Sequence, residues 1–482
     1  LRDVVGDDVR DDFFVVVLAG DVFFAIVGRF LALVFFRFDG ALFLGNVDTA
    51  FNYPANLYSF RQDSQFLYFF GLKNPGFAGI IDFDNNSEYI FGNDFDIDDV
   101  IWMGVQPKVS ELAAKVGVHK TGQYKDMIDL ILKAKNESRK IDFLPAYRGE
   151  TIIELSTLLG ISINDVKKHA SERLIKAVIK IKEIKSEEEI KEIEKAVDIA
   201  YEMHTTSMRM ATPGRIEQEI AGTIEGISLA LGGPVSFPII LSQDGQTLHN
   251  HHHDNILEVG RMMVTDAGAE TQECYSSDIT RTVPVGGKFN KRQAEIYQIV
   301  LDANLAAINA VEAGTKFKTI HFIAAKVIIE GLIKLGLMKG DSDKALEAEA
   351  HTLFMPHGLG HMMGMDVHDM EGLGENYVGY DEKTERETSF GTAYLRLGKE
   401  LKSGFVITIE PGIYFIPELI DKFRKENKFN DFINYDKVET YKDFGGIRIE
   451  DDVLVTENGF RVLGKPIPKT IEEVEAVMAN PL

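Results

Sequence analysis

The sequence predicts two domains, an α/β domain over residues 1–184 and a larger domain of helices and strands over residues 185–482. A length of 482 residues is long for one hydrophobic core, and a hydrophobic content of 45% is ample for two. Strand-like and helix-like segments alternate in the first part of the chain. Ser186 with Glu189 then forms a capping-box pattern, which marks a helix start. We therefore place the domain boundary at residues 184–185.

The first domain is assigned to the α/β class from its local patterns. Residues 78–83 and 88–92 are rich in β-branched and aromatic side chains, so they are predicted to be adjacent strands. Residues 126–134 and 161–180 carry apolar side chains at helical spacing. Strands alternating with helices are typical of an α/β domain.

The second domain begins with the helix that starts after Ser186 and is closed by Pro213-Gly214. Met262–Asp266 and residues 278–283 are predicted to be strands joined by a polar turn. If these strands pair in antiparallel fashion, their aspartates, Asp266 and Asp278, lie on the same face.

Two later segments also have strand character. Residues 405–410 form a β-rich run that Pro411-Gly412 ends, so Glu410 is expected at a strand end. Along residues 447–455, alternation places Arg448 and Glu450 on one face, pointing into the same cavity. Asp451 breaks this alternation, and the sequence offers no account of it.

The first forty residues are harder to interpret. Residues 13–36 are strongly apolar, but Asp21 and Arg29 interrupt them, which argues against a membrane-spanning helix. The acidic flank before them argues against a secretory signal. We expect this stretch to be truncated or imperfectly assigned.

Composition excludes several classes of partner. The net charge of −23 would repel both nucleic acid and an anionic membrane surface, so neither is an expected partner. The single cysteine, Cys274, excludes an intrachain disulfide and a zinc–thiolate site. It fits a reducing compartment, and we expect a cytoplasmic location.

Five acid and histidine positions have local patterns that suit a two-metal hydrolase. They are Asp266, Asp278, His361, Glu410 and Glu450. Four carboxylates around one imidazole could not all stay ionised in a folded interior without cations between them. Two divalent ions roughly 3.5–4 Å apart would neutralise such a cluster and hold a bridging water.

The chain resembles the "pita-bread" metallopeptidases, namely methionine aminopeptidase, aminopeptidase P and prolidase. The resemblance lies in segments around residues 247–249, 266–268, 278–282, 357–361, 366–369, 409–414 and 446–452. Residues 60–71 and 101–104 resemble the proline-specific members, which carry an extra N-terminal domain. The two aspartates are twelve residues apart, one more than usual in the family, which lengthens the turn between their strands. The resemblance implies an α+β pita-bread catalytic domain.

The resemblance also implies how the ligands are shared. Asp266 and Glu450 would bridge two divalent ions. Asp278 would bind one ion, and His361 and Glu410 the other. Manganese is the favoured ion, while Zn²⁺, Co²⁺ or Fe²⁺ are compatible with the donor set.

Further residues acquire roles from the same resemblance. Glu410 would also relay a proton. His368 would donate to a substrate carbonyl, and His249 would stabilise the tetrahedral oxyanion. His357, in a glycine-rich loop rather than a helix, would line the pocket for the proline ring.

The two arginines have open assignments. Arg448 could bind a substrate carboxylate or a metal ligand, or form a structural ion pair with Glu450 or Asp452. Arg396 resembles a prolidase position that holds the carboxylate of a dipeptide.

The expected activity is hydrolysis of X-Pro peptide bonds, with release of the N-terminal residue as in aminopeptidase P. Residues 60–71 and 472–478 favour this activity, whereas Arg396 favours the alternative, an Xaa-Pro dipeptidase. A catalytically silent peptide- or histone-binding module is a remote alternative, because all five ligand positions are filled.

Trp102, the only tryptophan, lies in the first domain and far in sequence from every expected ligand. A core aromatic is the simpler interpretation. In similar enzymes this position reaches a neighbouring active site, so we expect a homodimer or homotetramer in which Trp102 borders the partner's cavity and contacts proline-containing peptides.

Overall fold

The structure is a computed structural model that describes residues 39–482. The apolar stretch at residues 13–36 therefore lies outside the described residues. The chain folds into two compact units. The first reaches Phe143 and includes Arg148–Lys168, and the second comprises Leu144–Tyr147 and His169–Leu482.

The first unit contains a mixed five-stranded sheet in the order β6-β5-β4-β1-β7. Its central strands are antiparallel, and the outer strands β6 and β7 each add in parallel. The predicted adjacent strands are confirmed, since β4 pairs with β5 from Ala78↔Phe91 to Asp82↔Ser87. The strands of this unit are β1 (Gly40–Leu44), β2 (Ala50–Tyr53), β3 (Asn56–Leu57), β4 (Ala78–Asp82), β5 (Ser87–Phe91), β6 (Lys120–Gly122) and β7 (Ile141–Phe143).

The helices of the first unit alternate with its strands along the chain, which confirms the α/β prediction. They are α1 (Ser64–Phe70), α2 (Ile97–Met103), α3 (Val109–Lys115), α4 (Tyr124–Asn136) and α5 (Gly149–Leu159). Helix α4 covers the predicted residues 126–134. The single helix predicted for residues 161–180 is wrong, because the chain there forms α6 (Val166–His169) and α7 (Glu172–Lys182). Ser171 caps α7 by accepting from Leu174 N, which starts a new helix inside the predicted one.

The second unit contains two packed helix pairs, α8 with α9 and α10 with α11. The predicted start of α8 is confirmed, since Ser186 and Glu189 form a reciprocal capping box. The helices after α7 are α8 (Glu187–Met210), α9 (Glu217–Leu231), α10 (Lys291–Asn309), α11 (Phe317–Lys334), α12 (Ser342–Glu347), α13 (Glu375–Gly379), α14 (Pro417–Lys425), α15 (Tyr435–Glu439) and α16 (Ile471–Met478). Short 3₁₀ helices occupy Ala350–Leu353, Glu371–Leu373 and Thr392–Tyr394.

Small antiparallel sheets form the centre of the second unit. One has the order β10-β9-β8, a second has the order β11-β14-β15, and β12 pairs with β13. Their strands are β8 (Ile240–Ser242), β9 (Met262–Asp266), β10 (Thr280–Pro284), β11 (Val406–Ile409), β12 (Gly412–Tyr414), β13 (Gly446–Arg448), β14 (Asp451–Thr456) and β15 (Gly459–Val462). A bridge between Thr280 and Glu450 joins the first sheet to the break between β13 and β14.

The single strand predicted for residues 447–455 is wrong. The chain leaves one sheet after Arg448 and enters another at Asp451. This break changes which way Asp451 faces, and it explains why that residue does not fit one alternating pattern. The boundary predicted at residues 184–185 stays a prediction.

None of the helices in residues 39–482 combines the length and the apolar composition that a membrane crossing requires.

Candidate metal centre and substrate pocket

A cavity of about 550 Å³ opens in the second unit. The five expected ligands line it together with the three expected histidines and both expected arginines. These residues are Asp266, Asp278, His361, Glu410, Glu450, His249, His357, His368, Arg396 and Arg448. Apolar side chains complete the wall, among them Phe237, Leu248 and Val367.

The acids and His361 form one tight cluster. Ligand atoms of Asp266, Asp278 and Glu450 lie within 4.8 Å of one another, and so do those of His361, Glu410 and Glu450. The His361 Nε2 atom is 3.3 Å from Asp278 Oδ2 and 3.8 Å from Glu410 Oε1. The sequence therefore identified a set of residues that the fold brings together from distant segments.

The β9–β10 pair positions both aspartates. Asp266 ends β9 opposite Thr280, and Asp278 lies two residues before Thr280. The backbone N–H of Asp278 donates to Asp452 Oδ2 at 3.0 Å, which fixes the chain before β10. This arrangement confirms the antiparallel pairing that was predicted from the sequence.

The loop that carries His361 lies directly against β11. A Cβ atom on Gly360 would be 2.1 Å from the Thr408 carbonyl oxygen, so the close approach requires glycine. The His361 N–H donates to Thr408 Oγ1 at 3.1 Å, and the Thr408 N–H donates to the His361 carbonyl at 3.0 Å. The predicted loop conformation is confirmed.

The two glutamates each follow a strand, and a side chain of helix α10 contacts the backbone next to both of them. Glu410 comes directly after β11, as predicted, and Glu450 lies between β13 and β14. The Nδ2 atom of Asn304 on α10 is 3.1 Å from the Ile409 carbonyl and 3.4 Å from the Ile449 carbonyl. One amide thus contacts the residues immediately before both glutamates. Thr280 Oγ1 donates to Glu450 Oε2 at 2.6 Å.

Arg448 forms its ion pair with Asp266, rather than with Glu450 or Asp452. Its Nε atom also donates to Thr280 Oγ1 at 3.1 Å, and its Nη1 atom to the Tyr414 hydroxyl at 2.9 Å. The second alternative, contact with a ligand, is therefore the one present in the structure. Such contacts orient a ligand carboxylate.

A second buried arginine lies behind the ligands. Arg281 has five N–H groups, and five acceptors lie in reach: the carbonyls of Thr280, Glu450, Ile467 and Pro468, and the Asp451 carboxylate. Lys469 also donates to Asp451, at 2.6 Å. Asp451, which the sequence left unexplained, is thus the acid that balances the buried Arg281 and the partly buried Lys469 next to Glu450.

Burial raises the pKa of Asp278, Glu410 and Glu450, and neighbouring carboxylates raise it further. Nearby positive charge favours the ionised, ligating form of such acids. Asp266 Oδ1 is also buried, and no hydrogen-bond partner for it lies within residues 39–482. An unpaired carboxylate oxygen among crowded acids fits divalent cations, and an oxygen-rich donor set with one imidazole can hold two of them.

The histidines around the cluster are neutral near pH 7. Burial lowers the pKa of His249, and it lowers the pKa of His357 to about 3 and that of His368 to about 4. The His357 Nε2 atom lies 3.1 Å from the Tyr414 hydroxyl. The His368 Nδ1 atom lies 3.0 Å from Glu371 Oε2. Because a carboxylate only accepts, the neutral ring of His368 carries its proton on Nδ1.

Trp102 lies on α2 in the first unit, and its side chain is 85% exposed. The core interpretation is therefore wrong, because a core indole would be buried. Contact with a neighbouring subunit stays a prediction.

Tyr414 and Glu371 also belong to the site, although their sequence patterns did not predict it. Tyr414 contacts both His357 and Arg448, and Glu371 contacts both His368 and Arg396. A tyrosine inside a short strand is ordinarily a packing residue, so its pattern carried no signal. The i, i+3 spacing of His368 and Glu371 was a usable but weak signal.

Comparisons with known proteins agree with this geometry. A model of metallopeptidase family M24 matches residues 191–457, and a model of the aminopeptidase P N-terminal domain matches residues 38–141. Human Xaa-Pro dipeptidase is 32% identical over 431 residues, covering 87% of this chain and 85% of the relative. A probable Xaa-Pro aminopeptidase of Phaeosphaeria nodorum is 32% identical over 424 residues, covering 87% and 88%.

Solved structures show the same likeness. Aminopeptidase PepP from Pseudomonas aeruginosa has a TM-score of 0.77 and 27% identity, covering 94% of this chain and 97% of that one. Zinc-substituted aminopeptidase P from E. coli, in complex with product, has a TM-score of 0.76 and 26% identity, covering 94% and 98%. The predicted pita-bread fold is thereby confirmed. Because the M24 model covers more than half of the sequence and these relatives align along most of it, the chain belongs to metallopeptidase family M24.

Proposed function

We propose that this protein hydrolyses X-Pro peptide bonds and releases the N-terminal residue, as an Xaa-Pro aminopeptidase. The observation that carries the proposal is the cluster of four buried carboxylates and His361 in one cavity with His249, His357 and His368. Relatives named Xaa-Pro aminopeptidase and Xaa-Pro dipeptidase support the substrate class.

Five residues would hold the two divalent ions: Asp266, Asp278, His361, Glu410 and Glu450. When bound, two divalent ions supply Lewis acidity at the scissile carbonyl and lower the pKa of the attacking water. The buried acids and the unpaired Asp266 oxygen support this assignment. Arg448 holds Asp266 in place through its ion pair.

The remaining groups handle protons and orient the substrate. Glu410 accepts a proton from the attacking water and passes it to the leaving proline nitrogen. His249 donates to the oxyanion, and His368 donates to a substrate carbonyl from Nε2. Because the free enzyme carries a neutral His368 whose only proton lies on Nδ1 beside Glu371, donation from Nε2 requires the ring to gain a proton when substrate binds, and Glu371 offsets that charge. His357 packs against the proline ring.

A metal site that needs no substrate N–H explains proline specificity. An X-Pro bond is a tertiary amide without that donor, so a peptidase that relies on it fails. Here the carbonyl and the ring are the recognised groups.

Substrate length separates the two candidate activities. We expect kcat/KM for Ala-Pro-Ala and for X-Pro-Pro peptides to exceed that for Ala-Pro by about tenfold, which corresponds to one effective contact. The measurement is release of the free N-terminal residue, with Ala-Ala-Ala as the control substrate that should not be cleaved. Exclusive cleavage of Ala-Pro would assign the alternative, an Xaa-Pro dipeptidase, which the position of Arg396 in the cavity favours.

Metal identity gives a second test. We propose Mn²⁺ as the bound metal, because an oxygen-rich donor set suits it. Zn²⁺, Co²⁺ and Fe²⁺ are secondary choices. Exhaustive chelation should abolish activity, and Mn²⁺ should restore most of it. Recovery with Zn²⁺ alone would contradict the manganese assignment, and full activity after chelation would contradict the metalloenzyme assignment itself.

We also propose a homodimer or homotetramer and a cytoplasmic location. The exposed apolar side chains on and beside α2, including Ile97, Ile101, Trp102 and Val105, support a partner surface. The single cysteine supports a reducing compartment.

Trp102→Ala tests the partner surface. We expect KM for X-Pro peptides to rise while metal content and melting temperature stay nearly unchanged, because the indole is exposed. Ile153→Ala, at another exposed apolar position, is the matched control and should leave KM unchanged. A large fall in melting temperature with unchanged KM would contradict the proposed role.

A further inference from the structure

One carboxylate oxygen connects His368 with Arg396. Glu371 Oε2 is 3.0 Å from His368 Nδ1 and 2.7 Å from Arg396 Nη1. Glu371 starts a 3₁₀ helix three residues after His368, and its side chain is 15% exposed. His368 and Arg396 both line the cavity, whereas Glu371 lies behind them.

The charge of Arg396 is already balanced by acids. Its Nη1 atom is also 3.3 Å from Glu375 Oε2, and Glu375 is paired in turn with Arg386. Two arginines and two glutamates thus form a group with no net charge. A free carboxylate that reached Arg396 from the cavity would compete with Glu371 for the same guanidinium and would be repelled by both glutamates.

We propose that Glu371 is a positioning residue that sets substrate length: it orients His368 and disfavours substrates whose own carboxylate ends at Arg396. This inference rests on the proposed function and extends it. In an X-Pro dipeptide the proline carries a free carboxylate close to the cleaved bond, and this carboxylate would bind Arg396. In a longer peptide an amide takes that place, so the competition for the guanidinium does not arise.

The same contact links specificity to turnover. Whenever a carboxylate draws Arg396 away from Glu371, the Glu371 side chain loses one of its two partners and holds the His368 ring less firmly. Dipeptides are therefore disfavoured in binding and also leave His368 less well oriented. Outer partners that orient a metal ligand change activity by about 10–100-fold when removed, and we expect an effect of this order from the partner that orients the donor His368.

Glu371→Gln separates the two effects, since glutamine keeps the shape and removes the charge. We expect KM for Ala-Pro to fall by about threefold to tenfold, as one partly exposed opposing charge is lost. KM for Ala-Pro-Ala should change by less than about twofold, and kcat should fall by about tenfold for both substrates because His368 is less well held.

Two further variants make the result specific. Glu375→Gln, which leaves the Glu371–His368 contact in place, should lower KM for Ala-Pro without lowering kcat. Adding Glu371→Gln to Arg396→Met should no longer lower KM for Ala-Pro, because the guanidinium that binds the carboxylate is gone. It should still lower kcat relative to Arg396→Met alone. Melting temperatures identify any variant that fails to fold, and Glu375→Gln then carries the test.

The inference would be overturned if the ratio of KM for Ala-Pro to KM for Ala-Pro-Ala were the same in Glu371→Gln, Glu375→Gln and the wild-type enzyme. It would also be overturned if Glu371→Gln still lowered KM for Ala-Pro in the absence of Arg396. In either case wild-type cleavage of X-Pro peptides leaves the proposed function standing. If the wild-type enzyme cleaves neither Ala-Pro nor Ala-Pro-Ala, the proposed function fails, and the inference fails with it.

Discussion

Asp278→Asn is expected to remove metal and activity while leaving the fold intact. The side chain is buried among Asp266, Asp452 and Glu410, and its backbone N–H contact to Asp452 does not depend on its charge. Losing this acid removes one ligand and relieves repulsion between carboxylates. The metal-free variant should therefore melt at or above the temperature of the metal-free wild-type protein, and kcat/KM should fall by at least about 10²-fold, more than the loss of an outer partner.

Metal content and the metal-dependent rise in melting temperature provide the measurement. An ion at 100 times its Kd stabilises the wild-type fold by about 2.7 kcal/mol, and Asp278→Asn should lose most of that gain. His368→Ala is the matched control: it should retain metal and lower kcat by about 10²–10³-fold, the effect of losing one donor. Equal metal loss in both variants would contradict the division between ligands and donors.

Arg281→Met should have the largest effect on stability. The guanidinium is almost fully buried, and all five of its N–H groups have acceptors. Methionine has a similar volume, but it leaves four carbonyls without this donor and Asp451 with Lys469 alone. Breaking a buried ion pair from one side costs about 3–5 kcal/mol, which should be visible as a much lower midpoint of urea unfolding.

Arg424→Met is the control for Arg281→Met. Arg424 also has two ion pairs, with Asp436 and Glu439, but its side chain is 44% exposed. An exposed pair contributes about 0–1 kcal/mol, so the unfolding midpoint should change little. Similar shifts in both variants would show that the Arg281 network does not depend on burial.

Much of the site could be predicted because each ligand lies beside a strong local signal. Asp266 ends a buried strand, Glu410 directly follows one, and His361 lies in a loop marked by glycine. The helix start at Ser186 was readable because a capping box is fixed by residues three apart. Local patterns of this kind do not depend on the rest of the fold.

Features set by distant contacts could not be predicted. The break between β13 and β14 depends on the bridge from Glu450 to Thr280, 170 residues earlier. The start of α7 at Ser171 was missed for a different, local reason, because its cap interrupts an otherwise continuous helical pattern. Glu371 and Tyr414 act through partners that lie apart in sequence, Arg396 and Arg448, so the only local signal was the weak one from the spacing of His368 and Glu371.

Asn304 contacts the residues before Glu410 and Glu450, so these two proposed ligands are brought together by the tertiary fold. Of the five proposed ligands, even Asp266 and Asp278 are twelve residues apart, and the first and last are 184 apart. An unfolded chain therefore does not hold these five ligands together, so binding at this centre would favour the finished fold. Added ion should rescue an enzyme that has merely lost its metal, and do nothing for one in which a single strand is displaced. Metal binding would therefore occur late in folding, and it would indicate that distant segments of the second unit have reached their native positions.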